Sequence, residues 1–159
     1  DDADAGGRAI QFRGVNKKDV VIGIAASGNT PFVWGALETA AQRGARTALI
    51  CFNPTLKRRA KVPQLILAPA IGPEVLTGST RLKAGTATKL ILNCITTLAM
   101  VRLGKVAGNL MVDVDPKNEK LRDRAMRIVM TLREVDANTA RAALAKHGWV
   151  VQDTLKQLQ

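Results

Sequence analysis

The sequence predicts an α/β fold in which helices flank a parallel sheet, and three observations support that prediction. Short runs of apolar, largely β-branched residues lie at 19–24, 47–52 and 64–68, as expected of strands buried on both faces of a parallel sheet. A stretch with helical spacing, 32–43, separates the first two runs. A strand, a helix and a strand at this spacing form a βαβ unit with a right-handed crossover.

Length and composition indicate one globular domain with a small appendage. The chain has 159 residues, of which 47% are apolar, enough buried surface to offset the entropy lost on ordering. Disorder is therefore excluded. The longest apolar stretch, 90–101, is shorter than the roughly 20 residues of a membrane span, so it predicts a buried helix in a soluble protein.

The first elements have clear boundaries in the sequence. Residues 1–16 are rich in Asp, Ala and Gly, which predicts a loose entry segment or the tail of a missing element. The helix at 32–43 begins after Thr30, a good N-cap, and Pro31, which suits the first helical position. Gly44 is expected to end this helix in the left-handed conformation.

The second half of the chain predicts mainly helices. A long apolar helix is expected at 87–103, and 109–115 is apolar enough for a short strand or an extended segment. An amphipathic helix follows from about Asn118 to Arg133. The rest, 136–158, predicts a pair of short helices broken at Gly148.

The net charge of +11 invites a nucleic-acid interpretation, which requires clustered cations and aromatic residues for stacking. Neither is evident, because the densest basic run has only Phe52 nearby and the other cations are spread along helices. A solvated surface is therefore favoured over polynucleotide binding, and attraction of small anions stays compatible with the charge. The basic run is Lys57, Arg58, Arg59 and Lys61, and the spread cations include Lys120, Arg122, Arg124 and Arg127.

The cysteines and the histidine do not predict a metal centre. Cys51 and Cys94 lie in apolar surroundings and are interpreted as core residues of a reduced, cytoplasmic protein. His147, the single histidine, is expected at the end of a helix, where a cation suits the dipole. The chain begins at Asp1 without a signal segment, and we expect it to be a piece of a longer protein.

The first candidate site is the loop 25–31, between a buried strand and a helix N-terminus. Such a loop exposes backbone N–H groups to an anion. It has neither a Walker motif nor a dinucleotide fingerprint, and a plain tight turn capped by Thr30 is an equally good interpretation. The candidate ligand residues are Ser27, Gly28, Asn29 and Thr30.

The second candidate site is the loop 72–86, which places hydroxyls and cations close to a carboxylate. Arg81 suits a bidentate grip on a phosphate or carboxylate. Glu74 suits the orientation of sugar hydroxyls or acid-base work. A capped helix with exposed basic residues is the alternative. The other candidates are Ser79 and Thr80, with Lys83 beside them.

These loops carry a family resemblance. Residues 72–86, Gly-Pro-Glu-Val-Leu-Thr-Gly-Ser-Thr-Arg-Leu-Lys-Ala-Gly-Thr, with Lys89 following, resemble the signature shared by N-acetylmuramic acid 6-phosphate etherases and the glucokinase regulatory protein. Residues 24–31 resemble the phosphosugar loop of their sugar isomerase (SIS) domain. The stretches 108–114 and 118–121 are similar to the etherases, and the resemblance covers essentially the whole chain.

The resemblance implies a three-layer αβα SIS fold that binds a 6-phosphosugar at a homodimer interface, without a metal or organic cofactor. The implied reaction is a lyase reaction of peptidoglycan recycling: it eliminates D-lactate from C3 of N-acetylmuramic acid 6-phosphate and then adds water. By similarity, Ser27, Asn29 and Thr30 hold the phosphate, and Ser79, Thr80 and Arg81 contact the sugar phosphate. No nucleic acid or membrane partner is implied.

The sequence departs from the family pattern at its N-terminus. The family's acid and base lie in a segment expected upstream of Asp1, and Glu74 is at most an auxiliary group. We therefore expect the chain alone to be inactive. The predicted organisation is a leading segment (1–16), an SIS-type domain (17–133) and a helical appendage (134–159). The alternatives are a phosphosugar-sensing module of the glucokinase-regulator type and a basic nucleic-acid-binding domain.

Overall fold

The structure is a computed structural model that describes residues 2–56 and 62–158. The basic run Lys57, Arg58, Arg59 and Lys61 lies outside the described residues. The chain divides into two compact units, residues 1–92 and 93–159. Each unit is described by itself below. The predicted boundaries after residues 16 and 133 stay predictions.

The first unit contains the predicted parallel sheet. Its strands are β1 (Val20–Ile24), β2 (Arg46–Ile50) and β3 (Leu65–Leu67), in the order β1-β2-β3. Both pairs are parallel, with Val20 opposite Arg46 and Ala48 opposite Leu65. The three predicted strands and the α/β class are therefore confirmed. Only the central strand β2 is buried along most of its length, and β1 is half-buried with exposed ends.

Residues 1–16 are not a loose segment, because helix α1 spans Ala3–Phe12. The Asp2 carboxylate caps this helix by accepting a hydrogen bond from the Asp4 N–H at 2.9 Å. The helix packs closely on α2 (Pro31–Gln42). Composition indicated a loop here because two consecutive glycines lower helix propensity. The packing against α2 overrides that preference.

Helix α2 begins and ends as the sequence predicts. Pro31 is its first residue, Thr30 occupies the N-cap position, and Gly44 follows it with a φ of 83°. The buried Trp34 and Leu37 face the sheet-side core, which includes Cys51 as expected. Ala25, in the loop before α2, and Cys51, directly after β2, belong to this same core.

Helix α3 (Lys83–Arg102) differs from its prediction in start and in burial. It begins at Lys83 instead of near residue 87, and Ala84 is its one buried residue among those described. Cys94 on this helix is exposed, so the predicted core position for that thiol is wrong. By length and composition alone, α3 is also apolar enough to cross a membrane, with a mean hydropathy of 1.3.

The second unit contains the predicted C-terminal helices. After the antiparallel pair β4 (Val106–Ala107) and β5 (Leu110–Met111) come α4 (Glu119–Arg133), α5 (Ala137–Lys146) and α6 (Val151–Gln157). The strand predicted at 109–115 is thus limited to two residues of a short hairpin. The break between α5 and α6 falls at Gly148, as predicted, with a φ of 59°.

Helices α4, α5 and α6 share one core. It is formed by fully buried side chains from all three helices: Ala125, Val129, Ala140, Leu144 and Val151. Asn118 caps α4 through the Leu121 N–H at 2.9 Å, and Asp136 caps α5 through Asn138 and Thr139. His147 lies at the C-cap of α5, the helix end predicted for it.

Candidate functional site

The candidate loops leave the sheet at one edge. Residues 25–30 follow β1, Asn53 comes shortly after β2, and residues 68–82 follow β3. Because the three strands are parallel, all of these segments start at the carboxyl ends, where ligands of such sheets bind. Two hydrogen bonds join the first two segments: Phe52 N–H to Ala26 O at 2.9 Å and Asn53 Nδ2 to Ser27 O at 3.5 Å.

The loop after β1 forms a tight turn around Gly28. The Gly28 N–H donates to Ala25 O at 2.8 Å, and the indole N–H of buried Trp34 donates to Gly28 O at 2.7 Å. The φ of Gly28 is 78°, a left-handed conformation that favours glycine. A Cβ added there would lie 2.8 Å from the Leu56 side chain. The hydrogen bond from Trp34 and the neighbouring Leu56 side chain therefore both restrict the backbone at Gly28.

This turn presents unbonded donors at the N-terminus of α2. Among the described residues, no backbone or side-chain acceptor receives the N–H groups of Ser27, Thr30 or Phe32. The Asn29 N–H contacts the Ser27 hydroxyl at 3.3 Å. The Thr30 side chain makes no capping hydrogen bond. The turn is therefore not the Thr30-capped turn of the alternative interpretation, and its donors suit an anion.

In the second loop, Glu74 acts as the cap of α3. Its carboxylate accepts hydrogen bonds from the backbone N–H of Lys83 at 2.9 Å and of Ala84 at 3.0 Å. These two hydrogen bonds, of which the one from Ala84 has the larger effect, lower the pKa of the Glu74 carboxyl below its ordinary value. The group therefore stays ionised at neutral pH. This is the capped helix that the sequence analysis gave as the alternative.

The rest of the second loop presents polar side chains next to this cap. Thr80 and Arg81 are exposed and Ser79 is half-buried. In the described part of the chain, no carboxylate forms an ion pair with Arg81. The Lys83 ammonium instead donates to Pro73 O at 2.7 Å. Arg81 is thus the guanidinium of this loop that an anionic ligand can approach.

The structure groups the predicted site residues by loop. Ser27, Gly28, Asn29 and Thr30 share the first turn, whereas Glu74, Ser79, Thr80 and Arg81 share the second loop. Within residues 2–56 and 62–158, no hydrogen bond or ion pair joins one loop to the other. The described residues also contain no group of three or more side chains suited to a metal ion.

Two residues that support the first loop were missed by the sequence analysis. Asn53 accepts hydrogen bonds from the backbone and hydroxyl of Thr55 at 3.1 and 2.8 Å, which aims its amide at Ser27. Trp34 anchors Gly28 from within α2. The Asn53-Pro54 pair directly after a predicted strand was a signal for the first residue. Nothing in the sequence pattern distinguished Trp34 from an ordinary core residue.

Comparison with models of protein families gives no match. Curated proteins named N-acetylmuramic acid 6-phosphate etherase are similar to nearly the whole chain. The one from Pseudothermotoga lettingae is 51% identical over 96% of this chain and 50% of its own length. The one from Gloeobacter violaceus is 50% identical over 98% of this chain and 50% of its own length.

A third relative of that name, from Actinobacillus pleuropneumoniae serotype 7, is 48% identical over 91% of this chain and 47% of its own length. The resemblance inferred from the two loop motifs is therefore confirmed. The chain spans about half the length of the curated relatives it matches. The names of these relatives do not favour the regulatory alternative.

Proposed function

We infer that this chain, which is homologous to the N-acetylmuramic acid 6-phosphate etherases over nearly all of its length, forms the phosphosugar-binding part of such an etherase. The observation that carries this proposal is the turn at residues 27–30, whose backbone donors lie at the carboxyl edge of the parallel sheet. A phosphate group suits such a turn, because it accepts several hydrogen bonds and carries negative charge.

The proposed substrate is N-acetylmuramic acid 6-phosphate. In the reaction, the ether bond between C3 of the sugar and the lactyl oxygen breaks by elimination, and water then adds to the resulting double bond. The products are N-acetylglucosamine 6-phosphate and D-lactate. One base and one acid are required to move the protons of these two steps.

The residues of this chain bind the substrate and leave the proton transfers to groups outside it. The turn around Gly28 holds the phosphate through its N–H groups and the hydroxyls of Ser27 and Thr30. Arg81 supplies a guanidinium for the same anion. Glu74 is ionised and engaged by two backbone N–H groups, so it is unsuited to donating a proton. We expect the chain alone to release no lactate.

The domain fold, the oligomeric state and the cellular location are also proposals. The parallel sheet with α2 packed on it is compatible with a three-layer αβα SIS domain. A homodimer with the ligand at its interface and a cytoplasmic location complete the proposal. Two free cysteines among the described residues agree with a reducing compartment.

Binding of N-acetylglucosamine 6-phosphate, measured by isothermal titration calorimetry, tests the phosphate site. The change is Arg81→Ala, which removes a charged hydrogen-bond donor worth about 1.5–3 kcal/mol. We expect the affinity to fall by about ten- to a hundredfold. Unphosphorylated N-acetylglucosamine is expected to bind neither protein.

Arg46→Ala is the matched control. Arg46 is also exposed and begins β2, at the opposite edge of the sheet from the loops. Its removal changes the net charge equally and should leave the affinity unchanged. An equal loss of affinity in both variants would indicate non-specific electrostatic attraction and would contradict the proposed site. Lactate release from N-acetylmuramic acid 6-phosphate by the chain alone would contradict the expected inactivity.

A further inference from the structure

The second unit contains a polar cavity bordered by α4, α5 and the turn before α6. Its volume is about 400 Å³, within the range of about 300–1,000 Å³ that is typical of ligand pockets. The described residues that line it fall between positions 117 and 149, outside both candidate loops. They include one aromatic ring and several charged side chains, among them Glu119, Arg122, Asp123, Arg141 and Trp149.

One face of helix α4 forms a wall of this cavity. The lining residues that α4 supplies are spaced three or four positions apart, which places them on the same face of the helix. They are Glu119, Arg122, Asp123 and Met126. The three charged residues of this face are not part of the core that α4 shares with α5 and α6. Packing of the helices therefore does not explain them.

Trp149 is held beside the cavity in an unusual backbone conformation. Its φ is 65°, a left-handed value that is rare for a bulky side chain. The Trp149 N–H donates to Leu144 O at 2.7 Å, and the half-buried ring packs against the core of the three helices. Strained conformations of this kind persist where the surrounding structure holds them, and they are frequent at ligand sites.

Charged side chains of the cavity are not paired with one another. The Arg122 guanidinium lies over the Trp149 ring, 5.0 Å from its centroid. Among the residues that the structure describes, neither this guanidinium nor that of Arg141 forms an ion pair. The same holds for the carboxylates of Glu119 and Asp123. Both kinds of charge therefore stay available to a ligand.

These groups define the chemistry of a ligand. The Trp149 ring and the guanidinium stacked on it form a flat platform, and both kinds of group stack on nucleic-acid bases. The Arg141 guanidinium suits a bidentate contact with a phosphate. The carboxylates of Glu119 and Asp123 accept hydrogen bonds from amino and hydroxyl groups. A ligand with a planar base, hydroxyls and a phosphate uses all of these groups, whereas an inorganic anion uses only the cations.

We propose that this cavity binds a nucleoside phosphate, with the base stacked on the Arg122–Trp149 pair and the phosphate on Arg141. A sugar phosphate lacks the base and leaves the platform uncovered. An unphosphorylated nucleoside leaves Arg141 without its anion. The proposal does not depend on the etherase function, because the cavity contains none of the residues assigned to that function.

Quenching of tryptophan fluorescence by adenosine 5′-monophosphate tests the stacking. The chain has two tryptophans, and Trp34 is buried in the core of the first unit. With excitation at a wavelength that adenine does not absorb, we expect the nucleotide to quench Trp149 saturably. In Trp149→Phe the quenching should disappear while the emission of Trp34 remains. Adenosine should bind about ten- to a hundredfold more weakly, because it lacks the charged phosphate, and ribose 5-phosphate should leave the fluorescence unchanged.

Arg141→Ala separates the phosphate contact from the stacking. Arg141 is an exposed residue of α5, and alanine favours helix formation, so the variant should fold. Calorimetry should show that its affinity for adenosine 5′-monophosphate falls about ten- to a hundredfold, to that for adenosine, which itself stays unchanged. Lys146→Ala is the matched control. It removes a positive charge from an exposed position of the same helix outside the cavity and should leave both affinities unchanged.

Four results would overturn this proposal. In the first, the nucleotide quenches no fluorescence, or quenches Trp149→Phe equally, so that the base does not reach this ring. In the second, the unchanged chain binds the nucleotide and adenosine with equal affinity. In the third, Arg141→Ala and Lys146→Ala lose affinity equally, which would indicate non-specific attraction. In the fourth, ribose 5-phosphate binds as tightly as the nucleotide, which would assign the cavity to an anion without a base.

Discussion

At the scale of single residues, Glu74 shows how much the role of a side chain depends on its neighbours. The sequence places this carboxylate near hydroxyls and cations, which suits acid-base work. In the structure it instead accepts two backbone N–H groups at the start of α3. A capping box is recognised by a Glu at a fixed short spacing. Glu74 caps from nine residues away, so no local pattern reveals it.

The pKa of Glu74 predicts a pH dependence. Since this pKa is lowered in the folded chain, the stabilisation is complete above the ordinary glutamate pKa of about 4.3 and is lost as the pH falls through the lowered value. Glu74→Gln should therefore have a lower thermal midpoint than the unchanged chain at pH 7. The difference should shrink as the pH falls below about 4.

Glu38→Gln is the control for this measurement. Glu38 is an exposed residue of α2, and its substitution should change the midpoint little at any pH in the series. Circular dichroism melts between pH 3 and pH 7 compare the three proteins. A midpoint difference for Glu74→Gln that is the same at pH 3 and pH 7 would contradict the charged cap.

At the scale of elements, the contact between α1 and α2 depends on glycine. Gly6 and Gly7 of α1 and Gly35 of α2 are all buried. A Cβ at Gly35 would lie 1.9 Å from Ala3 O, and one at Gly6 would lie 2.0 Å from Phe32 O. The backbones therefore approach more closely than any other residue permits. This approach gives α1 its stability despite its weak helix propensity.

Gly35→Ala is expected to destabilise the first unit. The new methyl group meets backbone atoms that cannot rotate away, and overpacking of this kind costs typically about 1–3 kcal/mol. We expect α1 to separate from α2 and to become accessible to proteases. Urea unfolding and limited proteolysis measure both effects.

Gly85→Ala is the opposite case in the same fold. Gly85 lies in α3, and a Cβ there would meet nothing within 4 Å. The substitution should stabilise the helix by about 1 kcal/mol, because alanine has the higher helix propensity. If Gly35→Ala and Gly85→Ala both raised or both lowered the free energy of unfolding, close packing would not be the role of Gly35.

At the scale of the whole molecule, the chain has a separate core in each of its two units. Leu37 and Leu49 are fully buried in a core of the first unit, whereas Leu144 and Val151 are fully buried in that of the second. None of the described core clusters combines residues of both units. The units are therefore expected to open separately.

Leu144→Ala tests that separation. Loss of a fully buried leucine costs about 2–5 kcal/mol, and we expect amide hydrogen exchange to accelerate in α4, α5 and α6. Exchange in β1 and β2 should stay as it was. Leu49→Ala is the reciprocal variant, with faster exchange in the sheet alone. Faster exchange throughout the chain in either variant would indicate one cooperative unit.

Elements whose stability is local could be predicted from the sequence. The three apolar runs became the parallel strands, Gly44 and Gly148 end their helices, and Asn118 caps α4. Apolar periodicity, caps and left-handed glycines act over a few residues, and a single sequence displays them directly. The two candidate loops were found in the same way, because each lies next to a strand or a helix N-terminus.

Features that depend on distant contacts became visible in the folded chain and could not be predicted from the sequence. Helix α1 forms because α2 offers a glycine surface, Glu74 caps a helix that begins nine residues later, and Cys94 is exposed on a helix that the described residues leave uncovered. The energies of packing and capping depend on which surfaces meet in the folded chain. The order of residues along the chain does not show which surfaces these are.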